Sequence, residues 1–152
     1  MDKIQEKALT DEEKDIVIKD ICSRLPYWPY VQLSEGPDTS EGDVGYIIEI
    51  DTYNGDPVFS GYVPQDKEGY SFDSKVDGFK LLLRSPGKMT EEERKEFWNL
   101  GGTMTYDPEH DRWDIVSLSP EALDFVNKNG IDYRGLIYSG LATEITEEHD
   151  VD

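Results

Sequence analysis

One short segment holds the densest group of side chains that could bind a metal ion: Asp107, Glu109, His110, Asp111 and Asp114. Several carboxylates close together suit a hard cation such as Ca²⁺. The segment lacks the glycine and terminal glutamate of an EF-hand loop, and its Asp-Pro-Glu run is also typical of a hairpin loop. We therefore expect a hairpin loop without a metal or other cofactor. The metal candidates are Asp107, Glu109, His110 and Asp111.

The sequence offers few groups for covalent or acid–base catalysis. Cys22 is the single cysteine, and no segment resembles a nucleophile elbow that could act with His110. Cys22 falls on the apolar face of a predicted helix, which favours a small core residue over a nucleophile. Asp51 and Asp56 could pair as acid and base, but aspartates beside a hairpin turn are common. We predict no catalytic residue.

Three arginines are candidates for binding an anionic ligand. Arg24, Arg84 and Arg134 could converge on such a ligand, with Tyr133 stacked against it. The alternative is structural: each arginine pairs with a nearby acid, and Asp132 caps a turn. We favour ion pairs and keep ligand binding as the second interpretation.

An aromatic cluster of Tyr27, Trp28 and Tyr30 lies between two prolines. If these rings are exposed, they are candidates for an interface, because Tyr and Trp dominate the binding energy of protein contacts. If they are buried, they belong to the hydrophobic core. The sequence leaves both possibilities open.

Composition excludes several classes of partner. The 152 residues include 34 Asp and Glu against 15 Lys and Arg, a formal net charge of -19. Direct nucleic-acid binding and attraction to an anionic membrane both need a basic surface, which this chain lacks. No apolar run reaches the length of a spanning helix, and one cysteine forms no internal disulfide. Because 11% of the residues are aromatic, we expect a folded domain and not a disordered acidic chain. The single cysteine, and residues 1–10, which do not resemble a signal peptide, favour a cytoplasmic protein.

Three helices are predicted from their caps. Thr10 with Glu13, and Thr90 with Glu93, form capping boxes, and a third helix starts at Ser119 with proline next. The expected buried face of the first helix consists of apolar positions at helical spacing: Val17, Ile18, Ile21, Cys22 and Leu25.

Strands are predicted at 30–33, 44–53, 58–63, 79–83, 103–106 and 113–118. Asn54-Gly55 predicts a type I′ hairpin turn between the second and third of them. On the second strand we expect one face with Val44, Tyr46, Ile48 and Ile50. The remaining expectations are a loop at 64–78, a short helix or turn at 131–142, and frayed ends at 1–8 and 143–152. The sum is one α+β domain over 1–152, with about three helices in a single layer on a mainly antiparallel sheet.

Three segments resemble a family of small uncharacterised proteins from gut anaerobic bacteria, their phages and mobile elements. The segments are DICSRLPY at 20–27, LRSPGKMTEEE at 83–93 and FVNKNGIDYRGLIYSGL at 125–141. Family members begin with KDLCARLPYG, continue with YLRPMSSMTEEE and end with FDYRGLI followed by GLA. Trp28-Pro29 departs from this pattern, and residues 34–78 do not match it. The resemblance implies such an origin and a single domain, and it implies no mechanism.

Three functions are compatible with these observations. The leading hypothesis is a non-catalytic accessory or binding protein of a bacterium or its phage, acting through protein contacts. The second is an acidic nucleic-acid mimic that inhibits a host defence or DNA-processing enzyme, because residues 27–78 carry eleven acids and two bases. The third is an enzyme with an unfamiliar carboxylate or metal site. The expected location is the cytoplasm of a bacterial cell or phage-infected host, and the oligomeric state stays open.

Overall fold

The protein is described as a computed structural model. The described residues are 8–34, 40, 42–64, 69–146 and 149. The three α-helices are α1 (Asp11–Arg24), α2 (Glu91–Asn99) and α3 (Pro120–Lys128). The strands are β1 (Tyr30–Leu33), β2 (Val44–Tyr53), β3 (Asp56–Val63), β4 (Tyr70–Ser74), β5 (Phe79–Leu83), β6 (Thr103–Asp107), β7 (Arg112–Ser117) and β8 (Ala142–Glu144). No helix in these ranges is both long and apolar enough to cross a membrane.

Six strands form one sheet in the order β4-β3-β2-β1-β5-β8, and β6 and β7 form a separate hairpin. The pairs in the large sheet are antiparallel except β5 with β8, which is parallel. The α+β class with a mainly antiparallel sheet and three helices is therefore confirmed.

Local signals in the sequence fix several element ends. Thr10 and Thr90 each accept a backbone hydrogen bond at the start of their helix, and Glu13 and Glu93 complete both capping boxes. Asn54 and Gly55 have φ angles of 52° and 84°, the positive values that a type I′ turn requires. These three predictions are confirmed.

The predicted face of β2 is wrong. Gly45 and Ile47 are buried, while Tyr46 lies on the opposite, outer face of the sheet. A register shift between Ile47 and Glu49 then reverses the alternation, so that Ile50 returns to the buried side. A β-bulge adds one residue to one strand, and a strict period of two cannot anticipate it.

Two strands were missed. Residues 70–74 were predicted as part of a loop, but they form edge strand β4, whose Phe72 covers Gly45 and Gly61. A Cβ atom built at Gly61 would lie 2.7 Å from the Phe72 ring, so this close approach requires glycine. The tail predicted to fray from residue 143 instead contributes Ala142–Glu144 to the sheet as β8.

The buried face of α1 also differs from its prediction. Cys22 is exposed and not a core residue, while Asp20 and Arg24 are 0% and 1% exposed. Val17 and Ile21 are buried as expected. The buried face of α1 therefore includes two charged residues, and a search for apolar residues at helical spacing does not find them.

Buried apolar residues form two clusters. The first cluster lies between α1 and the six-stranded sheet and includes Val17, Ile21, Val31, Leu33, Ile47, Phe59, Phe72 and Leu81. The second lies among α2, α3 and the β6–β7 hairpin and includes Met89, Phe97, Ala122, Phe125, Val126 and Ile131.

Arg24 at the end of α1 links these clusters. Its Nε lies 2.8 Å from Asp20 Oδ2, one turn earlier in the helix. Its Nη1 and Nη2 donate to the carbonyl oxygens of Val126 and Ile131 at 3.2 and 2.8 Å, and both acceptors belong to the second cluster. The guanidinium thus satisfies two buried carbonyls while its charge is balanced by a buried carboxylate.

Arg134 reaches the same carboxylate from the 131–141 segment. Its Nε donates to Asp20 Oδ1 at 3.0 Å, and its Nη2 donates to the hydroxyl groups of Ser23 and Tyr133. The Tyr133 ring contacts both guanidinium groups, with centroid distances of 5.0 Å to Arg24 and 4.9 Å to Arg134. Asp20 therefore holds three parts of the chain together.

Replacing Asp20 with alanine should lower the free energy of unfolding by about 3 kcal/mol, because Arg24 would remain buried without its counter-charge. Denaturant unfolding monitored by circular dichroism measures the change. The control is Lys75→Ala, which removes an ion pair with Asp56 whose side chains are 64% and 62% exposed; it should change stability by less than about 1 kcal/mol. Equal effects of the two substitutions would contradict the role given to Asp20.

Candidate interaction surface

The three candidate arginines all form ion pairs inside the protein. Arg24 and Arg134 share Asp20, whereas Arg84 pairs with Glu93. Both terminal nitrogens of Arg84 bind the two Glu93 oxygens, at 2.8 and 2.7 Å. The structure therefore does not bring the three guanidinium groups to a common ligand.

Asp132 is buried and organises the turn that follows it. Its carboxylate accepts backbone N–H groups from Arg134, Leu136 and Ile137 at 3.2, 3.0 and 2.9 Å. The ring of the next residue, Tyr133, contacts the guanidinium groups of Arg24 and Arg134. The Asp-Tyr-Arg-Gly segment therefore makes internal contacts.

The β6–β7 loop brings three of the four metal candidates together. Ligand atoms of Asp107, Glu109 and His110 lie within 4.8 Å of one another. The hydrogen bond from His110 lowers the pKa of Asp107, and Asp111 accepts the hydroxyl of Tyr106. Exposed acidic groups are common without an ion, and these hydrogen bonds account for the loop, so we infer no metal site from them.

A cleft of about 720 Å³ lies between this hairpin and residues 132–138. Arg112 lies 3.6 Å from the ring centroid of Tyr138, and its Nε is 3.1 Å from Asp114. Elsewhere in the cleft, Ser85 donates to Glu144. Arg112 Nε is buried and, despite its distance to Asp114, forms no hydrogen bond with any described residue, so this cleft contains one buried donor without a partner.

A partly exposed aromatic surface lies on the outer face of the large sheet, where Trp28 is exposed and three tyrosines are half-buried. Tyr30, Tyr46 and Tyr62 are register neighbours on β1, β2 and β3. Trp28 stacks on Tyr46 with a centroid distance of 5.4 Å and an interplanar angle of 4°. Tyr30 and Tyr62 approach Tyr46 at 6.3 and 6.2 Å, so four rings form a continuous row. We call these four residues the aromatic row.

Trp28 is held in its place by an unusual backbone conformation. Its φ and ψ are 54° and 77°, in the left-handed region, and its N–H donates to Leu25 at 3.1 Å. Left-handed geometry costs a residue with a side chain roughly 1–2 kcal/mol. The Trp28 side chain is nevertheless 50% exposed. Strain at an exposed aromatic residue is typical of functional positions.

Tyr27 points to a different neighbour. It is 38% exposed, and its hydroxyl donates to Asp124 on α3, which raises the pKa of Tyr27. The three residues predicted as interface candidates therefore differ in their contacts. Trp28 and Tyr30 belong to the aromatic row, whereas Tyr27 contacts α3.

Acidic side chains lie beside the aromatic row. Glu49 and Asp73 are both register partners of Ser60, whose hydroxyl binds Asp73 at 2.6 Å, so the three share the outer face. Asp51 is two residues further along β2 and is exposed. On β5 the same face carries Lys80. This part of the sheet combines aromatic rings with a negative border.

A second, smaller cleft of about 220 Å³ is lined by Trp28 and Tyr30 of the aromatic row. Tyr27 and Leu82 also line it. So does Asn127 on α3, which is 8% exposed and whose Oδ1 has no hydrogen-bond partner among the described residues. Asn127 was not predicted from the sequence, because its environment depends on contacts between distant segments.

Comparison of the chain with protein-family models, curated proteins and solved structures gives no match.

The Arg84–Glu93 pair predicts a pH dependence. The hydrogen bond from Arg84 lowers the pKa of Glu93 from 4.5 to about 2 in the folded protein. Because the pKa is lowered on folding, this stabilisation is complete above pH 4.5 and is lost as pH falls towards 2. Glu93→Gln, which can keep the capping bond, should lower stability by about 1–2 kcal/mol at neutral pH and have no effect near pH 2.

Urea unfolding of both proteins from pH 7 to pH 2 measures this difference. Glu13→Gln is the matched control, since Glu13 completes the same kind of capping box and no arginine among the described residues pairs with it. A Glu93→Gln difference that does not shrink on acidification would refute the assignment.

The backbone of Trp28 predicts an inverted preference between glycine and alanine. Trp28→Gly should be at least as stable as Trp28→Ala, because glycine adopts positive φ without strain. At Trp98, an exposed residue inside α2, glycine should be less stable than alanine by about 1 kcal/mol. Thermal unfolding of the four variants measures both differences. If the glycine variant is less stable than the alanine variant at both positions, the backbone of Trp28 is not left-handed.

Proposed function

We propose that this chain is a non-catalytic binding protein that docks a basic partner protein on its aromatic row and the acidic side chains beside it. The observation that carries the proposal is Trp28, strained in its backbone, half-exposed, and stacked flat on Tyr46. A strained conformation that keeps a large ring at the surface makes sense if that ring has a binding role.

Aromatic composition favours a protein partner. Tyr and Trp residues supply large, rigid contact area and are the commonest hot spots of protein interfaces. The four rings support one another, so little conformational freedom would be lost when a partner covers them.

Charge favours a basic partner. The chain has a net charge of -19, and Glu49, Asp51 and Asp73 border the aromatic row. Such a field accelerates the encounter with a positively charged protein and repels acidic ones.

Acidic side chains outside this face give less support to a nucleic-acid mimic. Exposed acids also occur in the first turns of α1 and α2 and in the β6–β7 loop. A mimic needs carboxylates arranged along one ridge as phosphates are. A dispersed charge is better suited to solubility and long-range steering.

The cellular context that we propose is the cytoplasm of a bacterium or of a phage-infected bacterial host. The support is the resemblance of residues 20–27, 83–93 and 125–141 to small proteins of gut anaerobes and their phages. The single cysteine is compatible with a reducing compartment.

Binding to an identified partner tests the proposal. Proteins captured from host lysate by the wild-type chain should include a basic one that Trp28→Ala fails to capture. With that partner purified, Trp28→Ala should raise Kd about 30-fold, as expected for a hot spot of about 2 kcal/mol. Kd should also rise with salt concentration, because the partner is positively charged.

Trp98→Ala is the matched control, because Trp98 is 66% exposed but lies on α2 and not in the aromatic row. It should leave Kd within about twofold of the wild type. Failure to find any partner whose binding depends on Trp28 would overturn the proposal.

A further inference from the structure

We infer that the aromatic row binds a proline-rich segment of the partner, extended as a polyproline II helix and flanked by Lys or Arg. This inference rests on the proposed function and adds the chemistry and the conformation of the segment that the row recognises.

Unused hydrogen-bond donors on the aromatic row supply the first argument. The hydroxyl groups of Tyr46 and Tyr62 are not buried, and neither forms a hydrogen bond with a described residue. The indole N–H of Trp28, which is 50% exposed, also has no partner among these residues. A partner that covers the row displaces the water around these three donors, so it must supply acceptors in exchange.

The need for acceptors distinguishes among the possible conformations of the partner. The backbone carbonyls of an α-helix are bonded within the helix, except in its last turn, and Lys and Arg side chains carry donors only. A polyproline II segment has no internal hydrogen bonds, so all its carbonyl oxygens are free to accept. Such a segment can therefore satisfy the donors of the row along its whole length.

Sheet topology excludes the addition of a partner strand at the row. The strands β1, β2 and β3, which carry the three tyrosines, each have hydrogen-bonded neighbours on both sides. A segment that lies across the outer face meets side chains and no free strand edge. It must be extended without pairing to the sheet, which is the property of polyproline II.

The geometry of the rings supplies the second argument. The centroids of Tyr30 and Tyr62 lie 6.3 and 6.2 Å from that of Tyr46, with interplanar angles of 88° and 55°. Rings inclined to one another in this way make a ridged surface. Proline-rich segments dock in grooves lined by aromatic rings, and they lose little conformational entropy because proline fixes its own φ angle.

Charge supplies the third argument and places basic residues beside the prolines. Glu49 and Asp73 are both register partners of Ser60, which lies two residues, or about 7 Å of strand, from Tyr62. Neither carboxylate forms an ion pair with a cation among the described residues. A Lys or Arg next to prolines that cover the Tyr62 end of the row can therefore reach both carboxylates.

Three synthetic peptides test the requirements for proline and for charge. The first repeats Pro-Pro-Ala three times between two arginines, the second has alanine in place of every proline, and the third has glutamine in place of both arginines. In an NMR titration of the full chain, the first peptide should shift the indole N–H signal of Trp28 and leave that of Trp98 unchanged.

The second peptide should bind about tenfold more weakly than the first, because its free chain is less ordered. The third should bind about two- to fivefold more weakly, as expected for the loss of exposed ion pairs. No shift of Trp28 at about 1 mM of the first peptide, or equal binding of the first and second peptides, would overturn the inference.

Variants that remove one donor and keep the ring test the hydrogen bonds. Tyr46→Phe and Tyr62→Phe should each weaken the first peptide about three- to tenfold, the value of one hydrogen bond. Tyr53→Phe is the matched control, because Tyr53 is 70% exposed at the end of β2 and lies outside the row. Its affinity should stay within about twofold of the wild type. Unchanged affinity of both row variants would contradict the inference, and circular dichroism checks that each variant folds.

The double variant Glu49→Gln with Asp73→Asn tests the placement of charge. It should bind the first and third peptides with equal affinity, since the carboxylates that distinguish them are gone. If the double variant keeps the full preference of the wild type for the arginine peptide, the basic flank is wrong.

The outcome separates this inference from the proposed function. If a partner from lysate depends on Trp28 but the proline peptides do not bind, the docking surface stands and proline recognition is wrong. If the peptides bind as expected and no partner depends on Trp28, the row recognises proline-rich segments and the proposed function is wrong.

Discussion

The carboxylate of Asp20 is the group on which the arrangement of this protein depends. It is completely buried, and it balances Arg24 on its own helix and Arg134 on the 131–141 segment. Arg24 then uses its remaining nitrogens to bind Val126 and Ile131, at the edge of the second apolar cluster. A buried charge is tolerated only when its partners are held in good geometry, so these contacts fix how the two clusters meet.

The position of the aromatic row follows from this interior network. Arg24 is the last residue of α1, and only residues 25–27 separate it from Trp28. With Arg24 anchored, the chain must reverse over a few residues to enter β1, and Trp28 adopts left-handed geometry in that reversal. Pro29 comes next, and the carbonyl oxygen of Pro29 accepts the N–H of Ile47, which aligns the turn with β2. The charged interior thus determines where an exposed ring is displayed.

The parts of the fold that were predicted from sequence are those that depend on neighbouring residues. A capping box or an Asn-Gly turn involves at most four consecutive residues, and its physical cause is visible in them. Burial of Asp20, the bulge after Ile47 and the parallel pairing of β8 depend on residues far away in the chain. The same distinction holds for the site: Trp28 and Tyr30 were recognised from their cluster, whereas Tyr46 and Asn127 are brought to them by strand register and helix packing.

The pairing of arginines inside the protein also affects which charges a partner meets at its surface. Arg24, Arg84 and Arg134 are committed to internal pairs, in which each guanidinium holds parts of the chain together. The exposed acids of the outer sheet face, Glu49 and Asp51 among them, are not partners in these pairs. The charge that a partner meets is consequently set by the surface acids, while the aromatic row supplies the short-range contact area that charge alone cannot provide.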